Sequence, residues 1–164
     1  LLQFACAVLI LNLLFFRSKT NLILVFFKKY TFVFGFLVAL GATMLSLFYS
    51  NIIGFPPCEL CWINRIFTYP QVVLLGMELY KKDKAIVDQS MALSVLALIT
   101  SIFHVYIENG GSSSLACATG GPATVSCATI YVSEFSYVTI PVMALTVALF
   151  ILLLLVNYKY MTRK

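Results

Sequence analysis

The sequence predicts an all-α membrane protein: a four-transmembrane-helix bundle with both termini cytoplasmic, plus an extra N-terminal apolar segment. The first observation is composition, since 62% of the 164 residues are apolar and 10% are charged, against about 45–50% and about 25% in soluble domains. Roughly 30% of the unfolded surface of a 150-residue globule stays in water, so a core of this size cannot hide so much apolar surface. The second observation is that long uncharged stretches separate the charges. A soluble domain, a disordered chain and a secreted disulfide scaffold are therefore excluded.

Uncharged stretches at 30–58, 89–107 and 135–158 set the positions of three spans. Each stretch can supply the roughly 20 apolar residues that cross about 30 Å of hydrocarbon as a helix. A fourth apolar run follows the first stretch and is interrupted by polar residues. The predicted spans lie near 31–51, 60–80, 89–107 and 138–157.

The span near 60–80 is the least apolar of the four, because it contains Arg65 and Glu78. Polar groups inside a membrane helix usually face the protein interior. Glu78 lies near the end of this span, where we expect it to form a solvated ion pair with Lys81 or Lys82. Such a pair would contribute little stability.

The basic residues indicate the orientation of the bundle. The connections 52–59 and 108–137 contain neither Lys nor Arg. By the positive-inside rule the opposite side is cytoplasmic, so both termini are inside and both connections face out. The net charge of +5 then reflects membrane orientation rather than nucleic-acid binding. The eight basic residues that flank the inner ends of the spans are Lys28, Lys29, Lys81, Lys82, Lys84, Lys159, Arg163 and Lys164.

The chain divides into an N-terminal extension at 1–29, a membrane domain at 30–158 with an outer loop at 108–137, and a basic tail at 159–164. The apolar run that opens the extension reaches about 24 Å as a helix, which is marginal for a crossing. We expect an interfacial or loosely attached helix there, with a fifth span as the alternative. Cys6 in this segment is expected to be a small buried apolar residue.

Small residues form two stripes along the first span, one from Gly35 to Ala39 and one through Ala42, Ser46 and Ser50. Small side chains let membrane helices approach one another closely. We expect ordinary helix packing at both stripes.

Cys58 and Cys61 form a Cys-x-x-Cys motif directly after Pro56-Pro57. Proline is tolerated in the first turn of a helix, so both cysteines should lie at the N-terminus of the second span. There the helix dipole and free N–H groups stabilise a thiolate, and Cys-x-x-Cys thiols exchange disulfides readily. Arg65 lies one turn beyond Cys61 on the same face. A permanent cation just inside the hydrocarbon edge needs an anionic or strongly polar partner, for which a Cys61 thiolate or a polar ligand beside it would serve.

Cys117 and Cys127 form a second pair in the predicted outer loop, within a stretch rich in Gly and Ser. Cysteines on an oxidising face favour disulfides, and a flexible loop suits a disulfide that moves between an outside partner and the first pair. Inert structural disulfides and an all-cysteine zinc site are the alternatives. The spacing of the second pair and the oxidising side argue against zinc, so no metal is expected.

These features resemble the disulfide-bond formation protein B family. The similarity is greatest in Pro57–Ile66, in Tyr69-Pro70 and in Val138–Pro141, which look like the short BdbC-type members. The resemblance covers roughly residues 30–157 and includes all four loop-side cysteines.

The resemblance implies a membrane thiol–disulfide oxidoreductase of the prokaryotic cell membrane. It would reoxidise an extracytoplasmic DsbA-like thiol oxidase of thioredoxin fold and pass the electrons to a quinone, ubiquinone or menaquinone. By position, the partner's thiolate would attack Cys117, and Cys127 would exchange with Cys58. Cys61 would be the thiolate beside the quinone, with Arg65 stabilising that thiolate and the reducing quinone.

His104 lies near the outer end of the third span, where it could exchange a proton with the quinone. The simpler interpretation is an interfacial histidine bonded to backbone or water, and Glu108 is expected only to polarise the outer loop. Two other functions remain open. A vitamin K epoxide reductase-like enzyme has a similar bundle, but its loop cysteines precede its Cys-x-x-Cys pair. A non-catalytic membrane adaptor with two structural disulfides is the third interpretation.

Overall fold

The computed structural model describes residues 22–81, 84–111 and 139–162, together with Gln3, Cys6 and Cys127. Most of these residues are helical, and none of them forms a strand. Cys117, residues 163 and 164, and most of the extension and of the outer loop lie outside the described residues. The elements are α1 (Leu22–Leu47), a π-helical turn (Phe48–Ile52), α2 (Glu59–Lys81), α3 (Lys84–Glu108) and α4 (Ile140–Thr162).

The helices pack as an antiparallel bundle in which each contacts its neighbours in sequence and α1 also contacts α4. The start of α2 meets the end of α3 where Cys58 contacts His104. At the opposite end Lys159 of α4 forms an ion pair with Asp88 of α3. Short connections favour such antiparallel neighbours. We call the first of these ends the cysteine end of the bundle and the second the lysine end.

The main buried cluster takes residues from all four helices. In it, Ala39 of α1 is fully buried and Leu75 of α2 is 1% exposed. A Cβ added to Gly35 would lie 3.3 Å from Leu75 Cδ1. The absence of a side chain at Gly35 therefore lets α2 approach closely. The stripe from Gly35 to Ala39 packs helices as predicted.

The expectation that Glu78 is exposed to solvent in an ion pair near the end of its span is wrong. Its side chain is 0% exposed because it shares a face of α2 with Gln71 and Leu75, which also point into the bundle. Fully buried polar residues from other helices occur too, including Thr31 and Asn157. A face at this spacing is buried by tertiary packing whether or not its residues are apolar.

Among the residues that the structure describes, three helical segments are long and apolar enough to cross a membrane: Lys29–Ile52, Ala85–Glu108 and Ile140–Tyr160. Large apolar side chains on the outside of the bundle, such as Ile99 at 58% exposed, suit a lipid environment. The protein is therefore a multi-pass membrane protein. The span predicted near 60–80 forms α2, which is not among these three segments.

The N-terminal part of α1 differs from the expected division at residue 29, because the helix already begins at Leu22. No proline or glycine occurs between Leu22 and Gly35 to end it. Cys6 is 4% exposed and packs with Phe150 and Leu154 of α4. Its burial agrees with the expectation for this residue.

Candidate functional site

Cys58 is the N-terminal cap of α2, and Cys61 lies in the first turn. The Cys58 carbonyl accepts the first helical hydrogen bond from the Trp62 N–H at 3.1 Å. Its Sγ accepts from the Cys61 N–H at 3.4 Å, the position that a capping oxygen usually takes. The two sulfur atoms are 3.0 Å apart, and both residues are free thiols. Helix capping thus brings the dithiol together within one turn.

The Cys58 thiol is acidic because several donors face its sulfur. A hydrogen bond from the Cys61 thiol is the main cause, and contacts with His104 and with the Cys61 N–H add to it. Burial acts in the opposite direction, yet the pKa of Cys58 is lowered from 9.0 to about 4. In the reduced pair Cys58 therefore carries the thiolate at neutral pH.

His104 reaches this pair from the end of α3. Its Nε2 lies 3.6 Å from Cys58 Sγ, and its side chain is 4% exposed. The structure thus places the ring against a thiol rather than in a water-exposed interface. An imidazole in this position can take or return the proton of Cys58.

Arg65 points from α2 towards the end of α1. Its Nε donates to Ser46 Oγ at 3.0 Å and one Nη donates to the Ser46 carbonyl at 3.2 Å. The guanidinium also lies over the Trp62 ring, 5.1 Å from its centre. The polar partner required by this cation is therefore Ser46. Cys61, whose thiolate was the expected partner, lies on the wall of the same cavity.

The π-helical turn begins two residues after Ser46, at Phe48. Insertion of a π turn interrupts the regular ladder of helical hydrogen bonds and often marks a functional site. Ser46 thus presents both its hydroxyl and its carbonyl to Arg65. Tyr69 OH lies 3.5 Å from the same hydroxyl, which completes a polar group between α1 and α2.

Polar contacts also join α3 to its neighbours at the cysteine end. Ser101 Oγ donates to Asn64 Oδ1 at 3.1 Å. Thr139 Oγ1 donates to Glu108 Oε2 at 2.7 Å, just before α4 begins. Glu108 therefore tethers α3 to the start of α4, a more definite role than the expected polarisation of a loop.

A cavity of about 170 Å³ opens between these groups. One water needs roughly 10–15 Å³ of such volume, so the cavity has room for a substituted ring. Apolar residues of α1 and α4 supply much of its wall, and a few polar groups converge on it, which is typical of small-molecule sites. Its polar and sulfur-bearing lining includes Cys61, Arg65, Tyr69, His104, Glu108 and Cys127.

Cys127 is 3% exposed and belongs to one buried cluster with Cys58, Leu60 and Ile107. It is disulfide-bonded. Cys117, expected in the second pair, lies outside the described residues. Because Cys127 is not a free thiol, the all-cysteine zinc site considered from sequence is not assembled in this state.

Sequence reasoning did not assign Ser46 or Glu108 to the site. Ser46 was interpreted as a small packing residue, and nothing local to α1 indicates that Arg65 meets it. Glu108 did leave a signal, because it lies four residues after His104 and thus on the same helix face. Ser46 and Glu108 line the cavity, as does Asn64.

Comparison with known proteins identifies the family. The model of the family described as disulfide bond formation protein DsbB matches residues 28–158. The chain is 39% identical over 118 residues to the SPbeta prophage-derived disulfide bond formation protein B of Bacillus subtilis, covering 72% of this chain and 78% of that protein. It is 34% identical over 122 residues to disulfide bond formation protein C of the same organism, covering 73% and 85%.

A further relative is the probable disulfide formation protein C 1 of Bacillus anthracis, which is 38% identical over 104 residues, or 63% of this chain and 73% of that protein. Among solved structures none gives a significant match. The family match covers most of the chain, including the cavity and its cysteines. The chain therefore belongs to the DsbB family of disulfide bond formation proteins, which are membrane oxidoreductases.

Proposed function

We propose that this protein reoxidises a DsbA-like thiol oxidase of thioredoxin fold and passes the electrons to a membrane quinone. The observation that carries the proposal is the convergence of a free dithiol, a disulfide-bonded cysteine and a half-buried arginine on one cavity. A structural bridge needs neither the cavity nor the cation. A thiol oxidase needs both, because electrons must leave the dithiol for a bound acceptor.

The first exchange takes place at the loop disulfide, for which we propose the pair Cys117–Cys127. The partner's thiolate attacks Cys117, the sulfur–sulfur bond breaks, and Cys127 leaves as a thiolate. The partner's second thiolate then displaces Cys117 and closes the partner's own disulfide. Two electrons have moved from the partner to the loop, which is now a dithiol.

The second exchange oxidises the loop again. The Cys127 thiolate attacks Cys58 of a Cys58–Cys61 disulfide, and Cys61 leaves with its electron pair. Cys117 then attacks Cys127 and releases Cys58. A thiol of low pKa is the better leaving group, so the acidity of Cys58 favours this release. The described state, in which Cys127 is disulfide-bonded and Cys58 and Cys61 are free, corresponds to the stage reached after this second exchange.

A quinone fits the cavity by size and by the groups on its wall. When bound it supplies an acceptor for two electrons and two protons, and either ubiquinone or menaquinone meets that requirement. Arg65 places a fixed positive charge on the wall, where it favours negative charge on an oxygen of a bound ring. Ser46 holds that charge in place through two hydrogen bonds. Cys61 lines the cavity as the electron donor, and His104 holds or moves the proton of Cys58.

We further propose that α2 is a fourth span, with both termini in the cytoplasm and the cysteine end outside. Arg65 lies one turn beyond Cys61, and the polar residues Asn64, Gln71 and Glu78 of α2 are buried. Burial of these groups inside the bundle removes the main objection to a crossing by this helix. The basic residues Lys81 and Lys159 at the lysine end agree with a cytoplasmic location.

The test is reduction of quinone by a reduced thioredoxin-fold oxidase in lipid nanodiscs that contain the purified chain. We expect Cys58→Ser and Cys61→Ser each to abolish the loss of quinone absorbance. Cys6→Ser is the matched control, because Cys6 is also a buried free thiol but packs against α4 away from the cavity. Full activity in either site variant would overturn the proposal.

The same preparation tests the adaptor function. A membrane adaptor with structural disulfides predicts that no mixed disulfide forms with any thiol partner. The order of the cysteines, with Cys58 and Cys61 ahead of Cys117 and Cys127, argues against a vitamin K epoxide reductase-like enzyme. In the described state Cys58 and Cys61 are free rather than bridged, which disagrees with an adaptor that has two permanent bridges.

A further inference from the structure

Three side chains at the cysteine end form a compact donor set. Cys58 Sγ lies 3.0 Å from Cys61 Sγ and 3.6 Å from His104 Nε2. All three donor atoms lie within 4.8 Å of one another. Cys58 and His104 are buried, and Cys61 is partly exposed and thus the most accessible of the three.

The spacing suits a tetrahedral metal ion. Zinc binds thiolate sulfur at about 2.3 Å and imidazole nitrogen at about 2.0–2.1 Å. At a tetrahedral angle these lengths put sulfur and nitrogen roughly 3.6 Å apart, and two sulfurs roughly 3.8 Å apart. The Cys58–His104 separation already has the first value. The two sulfurs need to move apart by less than about 1 Å, within reach of side-chain rotation.

The charges also balance at this site. Two thiolates and a neutral imidazole around a divalent ion give a complex with no net charge, and burial of a neutral group avoids the desolvation cost of a charged one. Arg65 and Glu108 line the adjoining cavity with opposite charges. Cys58, Cys61 and His104 all line that cavity, so a water in it can supply the fourth ligand.

We propose that the reduced Cys58–Cys61 pair and His104 form a binding site for a divalent ion of the zinc group, Zn²⁺ or Cd²⁺. Binding releases the one proton that the reduced thiol pair still holds at neutral pH, as two metal–sulfur bonds form with no change in oxidation state. Formation of the Cys58–Cys61 disulfide removes both thiolate ligands and releases the metal. The ion therefore competes with oxidation of the pair, and it inhibits the enzyme in its reduced state only. No resident metal is needed for the reaction itself.

The direct test is a titration of the purified chain in detergent with Co²⁺, whose visible spectrum reports tetrahedral thiolate coordination, followed by displacement with Zn²⁺. Cys117→Ala and Cys127→Ala are introduced together so that the loop contributes no thiols. We expect one Co²⁺ per reduced chain and none after oxidation of the Cys58–Cys61 pair. Comparing the two redox states needs no further substitution, so the result does not depend on the folding of another variant.

Two further variants in the same background identify the ligands. His104→Gln should weaken binding at least about tenfold, since even the groups that merely orient metal ligands are worth 10–100-fold. Cys6→Ser, which removes the third free thiol, should leave affinity and spectrum unchanged. Binding that survives oxidation, that is unchanged in His104→Gln or that is lost in Cys6→Ser overturns the proposal.

The proposal is distinguishable from the proposed enzymatic function. Metal binding needs only three side chains, so it is measured without quinone or thiol partner. Stoichiometric binding in a chain that does not reduce quinone would support the metal site and overturn the thiol oxidase function. Quinone reduction in a chain that binds no Co²⁺ when reduced would support the thiol oxidase function and overturn the metal site.

Discussion

Acid titration of the reduced Cys58–Cys61 pair should reveal a thiolate that persists well below neutral pH. The Cys61 hydrogen bond and the His104 contact hold the pKa of Cys58 at about 4, against an ordinary value of 9.0. At pH 7 a thiol of pKa 9.0 is about 1% ionised, whereas one of pKa 4 is about 99.9% ionised. The difference between these two fractions is large enough to measure directly.

The assay is ultraviolet thiolate absorbance in chelator-treated buffer, on a chain in which Cys117 and Cys127 are replaced by Ala. The signal of Cys58 is its difference from the Cys58→Ser variant in the same background. We expect a midpoint near pH 4. Cys61→Ala should raise this midpoint most, because the Cys61 thiol is the main cause of the shift. His104→Gln should raise it less.

The same shift predicts how the stability of the reduced protein depends on pH. The folded-state pKa of Cys58 lies below its unfolded value, so ionisation stabilises the folded state. This stabilisation is complete above about pH 9 and is lost as pH falls towards about 4. Thermal unfolding of the reduced chain, compared with Cys58→Ser, measures it. A midpoint near pH 9 in the reduced protein, or a Cys61→Ala variant that titrates like its parent, would refute the reasoning.

Substitutions at three further positions test contacts at the site and elsewhere in the bundle. Ser46→Ala removes the hydroxyl that accepts a hydrogen bond from Arg65, so quinone reduction should slow while the KM for the thiol partner is unchanged. Ser46→Thr keeps a hydroxyl and should retain activity. An equal loss of activity in both variants would contradict the anchoring role of Ser46. Leu75→Ala opens a cavity at a 1% exposed position and should lower the free energy of unfolding in detergent by about 2–5 kcal/mol. Lys159→Met breaks the 2.7 Å ion pair with Asp88, whose partners are 47% and 59% exposed. This change should cost only about 0–1 kcal/mol in the same assay, and a larger loss would show that the pair belongs to a buried network.

The dithiol could be predicted from sequence because its geometry is local. Pro56-Pro57 ahead of the motif starts a helix, and a Cys-x-x-Cys spacing at a helix start brings both sulfurs to the first turn. Arg65 followed from the same helical repeat, one turn beyond Cys61. Its partner did not, because Ser46 lies on α1 and the rotation of α1 against α2 is set by packing.

Glu78 shows the same limit at the other end of the bundle. Its position near Lys81 and Lys82 suggested a solvated pair, yet the packed bundle buries it completely. Whether a polar residue near a helix end is exposed depends on the axial offset of the neighbouring helices. The periodicity of a single helix does not predict this offset.

The sequence by itself determined that this chain is a helical membrane protein with a Cys-x-x-Cys motif at a helix start. The length of an apolar stretch, the placement of charges and helix capping all depend on short segments, so they can be predicted from the sequence. Only the tertiary structure decided that His104, 46 residues from Cys58, touches its sulfur, and that Ser46 holds Arg65 beside the cavity. These contacts depend on the rotation and axial offset of four helices relative to one another, which are set by the packing of all four together.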